Sequence, residues 1–319
     1  MKRFNIVGKS SLWASIAGIL VICSVFLFYF TAQFSEEFTG GVSISLTSQA
    51  NTENIQEDLE NFLENQGYQD THISVNQDQE ELTIKINADL ESDEKITELS
   101  NDIQTFLLSN KVIKSTEELN GQTLIGPSVG EYMQSTAFKA LIVGIILMII
   151  YMLFAFGKIR KEIPAEVLVS TVFCVLVFDI CVTLGAYGLW MMMNKTVQVD
   201  TIFITALLTI VAYGINDVIV IFDRIRENII KGAKDKSMQV ASVVEDSLWQ
   251  TMRRSIGTSL STLLVLIGMF AFSGGASILQ QFAFTVGMGI IISTCSSIFL
   301  GGSCTNLFMK VFKNKDSKK

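Results

Sequence analysis

The 319-residue chain contains one histidine, His72, with no cysteine or second histidine beside it. Zinc binding and Ser-His hydrolysis both need such partners, so the sequence argues against each. No G-x-x-x-x-G-K-[ST] phosphate loop occurs, which argues against an ATP motor. The five cysteines (Cys23, Cys174, Cys181, Cys295, Cys304) all lie in apolar runs, so the acidic region between Ala32 and Thr136 has no disulfide framework. That region also lacks positive charge. It has four lysines (Lys85, Lys95, Lys111, Lys114) against 20 acidic residues, a local net of −16, while the rest of the chain carries +9. Its carboxylates are spread out, as on a solvated surface. Nothing in that region reads as catalytic. The expectation is a non-enzyme with no cofactor and no nucleic-acid partner.

What is present is apolar. Hydrophobic residues make up 49% of the chain and charged residues only 17%. They cluster in six runs, Leu12–Phe30, Ala137–Phe156, Ala165–Leu189, Thr201–Phe222, Ser255–Phe272 and Phe282–Phe308. Runs of about 20 residues match the ~30 Å hydrocarbon layer of a bilayer. Basic residues then set orientation, because short basic loops stay cytoplasmic. They precede the first run (Lys2, Arg3, Lys9), separate the second from the third (Lys158, Arg160, Lys161) and the fourth from the fifth (Arg224 to Arg254), and follow the sixth. The opposite loops hold Lys195 alone. Both termini are therefore expected in the cytoplasm and the acidic region outside. The first run is longer than a signal-peptide core and no small-x-small cleavage pattern follows Phe30, so it reads as a retained anchor. The expected organisation is residues 1–31 for the amino terminus and first helix, 32–136 for an extracytoplasmic domain, 137–309 for helices two to six, and 310–319 for a basic tail.

Within 32–136 the hydrophobic period changes. Val42–Thr47 alternates as a half-buried strand does. Thr52 precedes a helical pattern (Ile55, Leu59, Phe62, Leu63) closed by Gly67. Strand-like runs follow at His72–Asn76 and Glu81–Asn87, then a helix capped by Ser92 or Asp93 with Ile96, Leu99, Ile103, Phe106 and Leu107 on one face. A last extended stretch runs from Val112 to Ile125. The order β-α-β-β-α-β is the ferredoxin-like pattern.

The fourth apolar run holds the most informative residues. Asp217 lies about two turns from its basic end, and an intramembrane carboxylate costs roughly 2.5–3.5 kcal/mol to insert, so it needs protein or water around it and a partner. Arg253 and Arg254, before the fifth run, are candidate partners from the same side. Neutralising Asp217 would free such an arginine. A fixed salt bridge is the alternative. Asp179, in the third run, is open between a proton relay and a structural hydrogen bond. Asn216 is expected to bridge helices through its amide, and Asp223, Arg224, Arg226 and Glu227 to form an interfacial charge cluster. Gly40-Gly41 suits the junction between anchor and first strand, because glycine reaches backbone angles closed to other residues. Gly126-Pro127 and Gly130 suit either a hinge or a plain turn. The sixth run is rich in small residues (Gly287, Gly289, Ser293, Ser297, Gly301, Gly302), which allow close helix contact.

The stretch Tyr213-Gly214-Ile215-Asn216-Asp217-Val218-Ile219-Val220-Ile221-Phe222-Asp223-Arg224-Ile225-Arg226-Glu227-Asn228 is similar to the signature of the SecF family of bacterial export proteins. Further similar pieces occur in the expected order: Phe38-Thr39-Gly40-Gly41, Gly126-Pro127-Ser128-Val129-Gly130, Phe178-Asp179-Ile180 and Thr251-Met252-Arg253-Arg254-Ser255. Glu37 stands where the family usually has Asp. The resemblance spans about Phe38 to Phe308, with the exported domain alike only in pattern. It implies a polytopic α-helical membrane protein, half of a resistance-nodulation-division transporter, with a small α+β ferredoxin-like extracytoplasmic domain. It also implies a place in the bacterial inner membrane, a SecD-like partner, the SecYEG translocon and a translocating unfolded polypeptide, with lipid around the helices. Protons, or else sodium ions, would be the coupling ion. Asp217 would be the proton-sensitive carboxylate, with Arg254 as its electrostatic partner. Two other classes fit the residues: a self-contained proton-driven exporter of a small molecule or lipid, and a non-energetic translocon scaffold.

Overall fold

The computed structural model describes residues 5–47, 55–66, 68, 72–78, 81–87, 93–110, 112–113, 119–155, 163–194, 197–232, 240–273 and 278–316. Ten helices and four strands are seen among them: α1 (Ser10–Thr31), α2 (Glu36–Thr39), β1 (Gly41–Thr47), α3 (Ile55–Asn65), β2 (His72–Asp78), β3 (Glu81–Asn87), α4 (Asp93–Ser109), β4 (Leu119–Ile125), α5 (Pro127–Ala155), α6 (Ala165–Met193), α7 (Thr201–Gly232), α8 (Val240–Phe272), α9 (Ile278–Ser296) and α10 (Gly302–Asp316). A π-helical turn, Ser297–Gly301, joins α9 to α10.

The soluble domain forms because two amphipathic helices have one sheet to cover. Val42, Ile44, Leu46, Ile84 and Ile86 point inward from β1 and β3 and are fully buried. They meet Leu59 and Leu63 of α3 and Ile96, Leu99, Ile103 and Leu107 of α4. The sheet order is β2-β3-β1-β4 with every neighbour antiparallel. Gly41 pairs with Asn87 on one side and Ile125 on the other, so β1 is central. This is the ferredoxin-like arrangement read from the periodicity. The expected last extended stretch, Val112–Ile125, is described only in part. Among the described residues of that stretch, Leu119–Ile125 is strand, while Val112 and Ile113 turn in beneath the end of α4, where both backbone N–H groups donate to the Leu107 carbonyl. Thr52, Gly67 and Ser92, with Lys111, Lys114, Lys158, Arg160, Lys161, Lys195, Lys234 and Lys236, lie outside the described residues.

Six helical spans are long and apolar enough to cross a membrane: Val7–Thr31, Ser128–Phe154, Glu166–Met193, Thr201–Lys231, Val240–Phe272 and Ile278–Val311. Most outrun the apolar stretches. α5 begins at Pro127, directly after β4, because proline is suited to a first helical turn whose N–H needs no intrahelical partner. α7 continues past Phe222 through the charged Asp223–Asn228 segment, and α8 starts well before Ser255. α6, α7 and α9 are the most buried of these helices, with α1, α5 and α8 peripheral. α1 approaches α6 at two glycines. A Cβ on Gly185 would meet Ser24, and one on Gly188 would meet Thr31.

Candidate functional site

Asp179 is the midpoint of α6, and Asp217 lies on α7 about two turns before its charged end, close enough for the two carboxylates to sense each other's charge. They are 0% and 3% exposed. Both face α9, which packs against α6 and α7 together. Successive residues on a helix point about 100° apart, and consecutive serines exploit this. Ser296 Oγ donates to Asp179 Oδ1 at 2.5 Å, and Ser297 Oγ donates to Asp217 Oδ2 at 3.5 Å. The π turn begins at Ser297; such turns widen a helix locally and recur at functional sites. Ser293 lies beside Asp179 and Ser255 beside Asp217.

A seam of hydroxyls extends the cluster toward α8. Tyr213 Oη donates to Ser259 Oγ at 2.9 Å, and Ser259 Oγ meets Thr294 Oγ1 at 2.6 Å. Buried polar groups are normally paired. Among the described residues, however, Asp179 Oδ2, Ser293 Oγ and Ser255 Oγ are buried without a hydrogen-bond partner. No ion pair reaches either carboxylate there. The arrangement is two buried acids served only by hydroxyls.

The expected pairing of Asp217 with Arg254 is not formed within this chain. Arg254 lies on α8 with its side chain on the exposed face, as does Arg253. Asn216 also differs from expectation. It points to the exposed face of α7, because α7 turns its Gly214, Ile215, Asp217 and Val218 faces inward. The charged end of the signature is local. Arg224 and Lys231 both pair with Glu227, and Arg226 pairs with Asp223 at 3.5 Å. Arg224 and Asn228 also donate to Gln250, and Asn228 to Ser247, bracing α7 against α8. The sequence left Ser255, Ser259, Thr294 and Ser296 unmarked. Their signal was the density of hydroxyls in an otherwise apolar run, Ser293-Thr294-Cys295-Ser296-Ser297.

At the other end of α7 the Phe-Thr-Gly-Gly segment has a defined task. Gly40 and Gly41 have φ of 84° and 149°, conformations that other residues rarely adopt, and they turn the chain from α2 into β1. Gly130 lets the start of α5 approach α2; a Cβ there would lie 2.9 Å from the Phe38 carbonyl oxygen. Gly126 accepts backbone N–H bonds from Val129 and Gly130, forming the first turn of α5 with Pro127. Glu37 accepts from the Thr201 N–H at 2.9 Å and from its hydroxyl, capping α7. Asp200 accepts from the Phe203 N–H at 2.8 Å in the usual N-cap geometry. Burial pushes Asp200 up to about 6, with the Glu37 charge adding to the effect and Lys85 and the Phe203 hydrogen bond opposing it. Among the described residues, no cluster of three or more His, Cys, Asp or Glu could hold a metal.

Six candidate membrane spans with a ferredoxin-like domain between the first two define a multi-pass membrane protein. The family model described as "Protein export membrane protein SecD/SecF, C-terminal" matches residues 107–311, and the chain belongs to that family. It is 30% identical over 321 residues to the protein translocase subunit SecF of Acidaminococcus fermentans, covering 98% of this chain and 100% of that one. It is 31% identical to the protein translocase subunit SecDF of Thermus thermophilus, covering 93% of this chain and 37% of that longer one. The crystal structure of SecDF from Thermus thermophilus superposes over 98% of this chain and 39% of that chain, with a TM-score of 0.72 at 29% identity.

Proposed function

We propose that this chain is the SecF-like half of an energised export device in the bacterial inner membrane, acting with a SecD-like subunit beside the SecYEG channel. In this reading the proton gradient drives cycles of helix rearrangement that help an unfolded chain leave the translocon. The observation that carries it is the pair Asp179 and Asp217, both within apolar spans, both buried, and both hydrogen-bonded by serines rather than by cations. Charge in that position is costly, and ionisable groups kept there serve ion movement by default. Asp179 Oδ2, which accepts no hydrogen bond in this structure, is suited to carry a proton, and Tyr213, Ser259 and Thr294 set further hydroxyls between α7, α8 and α9. One charge crossing 100 mV releases about 2.3 kcal/mol, enough to repack a few buried contacts.

The partner is supported by two facts. The Thermus relative carries the matching region within one longer chain named SecDF. On this chain, the exposed face of α7 is small and polar (Thr205, Thr209, Ala212, Asn216), and so is part of α8 (Arg254, Gly257, Thr258, Ser261). Small and polar residues suit close helix contact inside a membrane far better than contact with lipid. A SecD-like helix seated there would shield Arg254 and Asn216 and bring Arg254 into the coupling site. Both termini would then be cytoplasmic and residues 32–136 outside.

The test is release of secretory proteins from cells carrying Asp217→Asn at wild-type membrane levels. Release should stall as in a deletion. Normal release would leave the scaffold reading in its place.

A further inference from the structure

We propose that α2 is a two-sided clamp: Glu36 holds the ferredoxin-like domain and Glu37 holds the outer end of α7, so that domain and helix move as one body. The inference deepens the export reading, on which it rests only for what α7 does during the cycle.

The geometry is specific. α2 is one helical turn, started by Ser35, whose hydroxyl accepts from the Glu37 N–H at 3.3 Å. Its three successive side chains go three ways. Glu36 turns to the sheet and pairs with Lys85 of β3 at 3.1 Å, with the carboxylate side chain only 4% exposed. Glu37 turns to the membrane helices and takes both the N–H and the hydroxyl of Thr201. Phe38 is driven between them into the apolar cluster of Tyr187, Trp190, Val199 and Phe203. The backbone ahead of α2 is tied to the same place: Ser35 N–H donates to the Val199 carbonyl at 2.9 Å, and Val199 N–H donates to the Gln33 carbonyl at 2.7 Å.

These bonds differ from a flexible linker in one respect. β1, the central strand, leaves α2 after only Gly40, and β4 on its flank runs into α5 through Gly126. The domain therefore meets the membrane part at two short covalent joints and an ion pair whose carboxylate is buried and whose lysine is one-third exposed. A hydrogen bond to a charged group is roughly twice as strong as one between neutral groups, and removing one partner of the pair leaves the buried Glu36 carboxylate uncompensated. Displacement of the outer end of α7, which also carries Asp217, is handed through Glu37 and Glu36 to β3 and β1.

Amide hydrogen exchange on the full chain in lipid nanodiscs tests this without any export assay. Glu37→Ala should speed exchange of the Thr201 amide by at least about tenfold, the factor implied by losing one hydrogen bond to a charged group. The decisive variant is Lys85→Met, at a side chain that is one-third exposed and outside the sheet core. If the clamp is one unit, Lys85→Met also speeds exchange at Thr201 and Val199, and does so equally in an Asp200→Asn background, where the direct attraction between Lys85 and Asp200 is gone. The exchanged pair Glu36→Lys with Lys85→Glu should return both to wild-type rates. Acceleration confined to β3 in Lys85→Met overturns the proposal, as does an unchanged Thr201 amide in Glu37→Ala. Either result leaves the Asp217→Asn export test untouched.

Discussion

Gly214 on α7 holds open the space in which the Asp179 carboxylate of α6 ends: a Cβ at position 214 would lie 2.7 Å from Asp179 Oδ2 and 2.7 Å from Ser293 Oγ. Both of those residues are fully buried, so neither oxygen has anywhere to retreat. Gly214→Ala improves intrinsic helix propensity by up to about 1 kcal/mol, but overpacking at such a site costs roughly 1–3 kcal/mol. The clash wins. Thermal melting of Gly214→Ala in detergent should fall by several degrees, with loss of secretory release. A melting point at or above wild type would show that the cluster relaxes and that Gly214 is there for another reason.

Asp179→Asn separates the two roles left open for that carboxylate. Asparagine keeps the shape and can still accept from the Ser296 hydroxyl, so the fold should melt within a degree or two of wild type. It cannot carry a proton. Release of secretory proteins should therefore drop several-fold at matched membrane levels. Wild-type release would assign Asp179 to hydrogen bonding alone.

The domain was legible because its helices and strands each bury one periodic face: Val42, Ile44 and Leu46 sit inside as their alternation requires. The six spans were legible from apolar length. Asp179 and Asp217 stood out because charge is rare in such runs. What periodicity could not reveal is which helices touch. Asp217 is served by Ser297, 80 residues away in sequence, while Arg254, the nearest candidate by sequence logic, turns outward. The reach of α7 and α8 beyond their apolar runs was also hidden, since the hydropathy signal stops where charges begin, although the helix continues. Glu37 looked like a conservative departure from a motif, and only the tertiary contact with Thr201 gives its charge a purpose.

Asp200 predicts a pH dependence. Its carboxyl lies outside the spans and is 6% exposed. Its value in the folded chain is raised from 3.8 to about 6. The folded state therefore holds its proton where the unfolded chain has released it, so stability falls as pH rises from about 4 to about 6 and is flat above. A difference of that size is worth at most about 3 kcal/mol. Asp200→Asn removes the buried charge and keeps a good N-cap. The variant should melt above wild type at pH 7.5 and match it near pH 4. Equal melting at both values would place the Asp200 carboxyl in a wetter setting than its burial implies.

Arg254 separates fold from partnership. Its side chain is exposed on α8 and forms no ion pair among the described residues, so the isolated chain has no such pair to lose. Substitutions at such positions change stability by less than about 0.5 kcal/mol. Arg254→Gln, purified alone, should therefore melt with wild type. A membrane-level cation on a polar helix face nevertheless demands an anion or water opposite it. If a SecD-like helix supplies that environment, Arg254→Gln should lower secretory release sharply in cells and weaken co-purification of the partner. Melting, release and co-purification all at wild-type levels would place Arg254 at the lipid headgroups, where a long basic side chain reaches the interface without any partner.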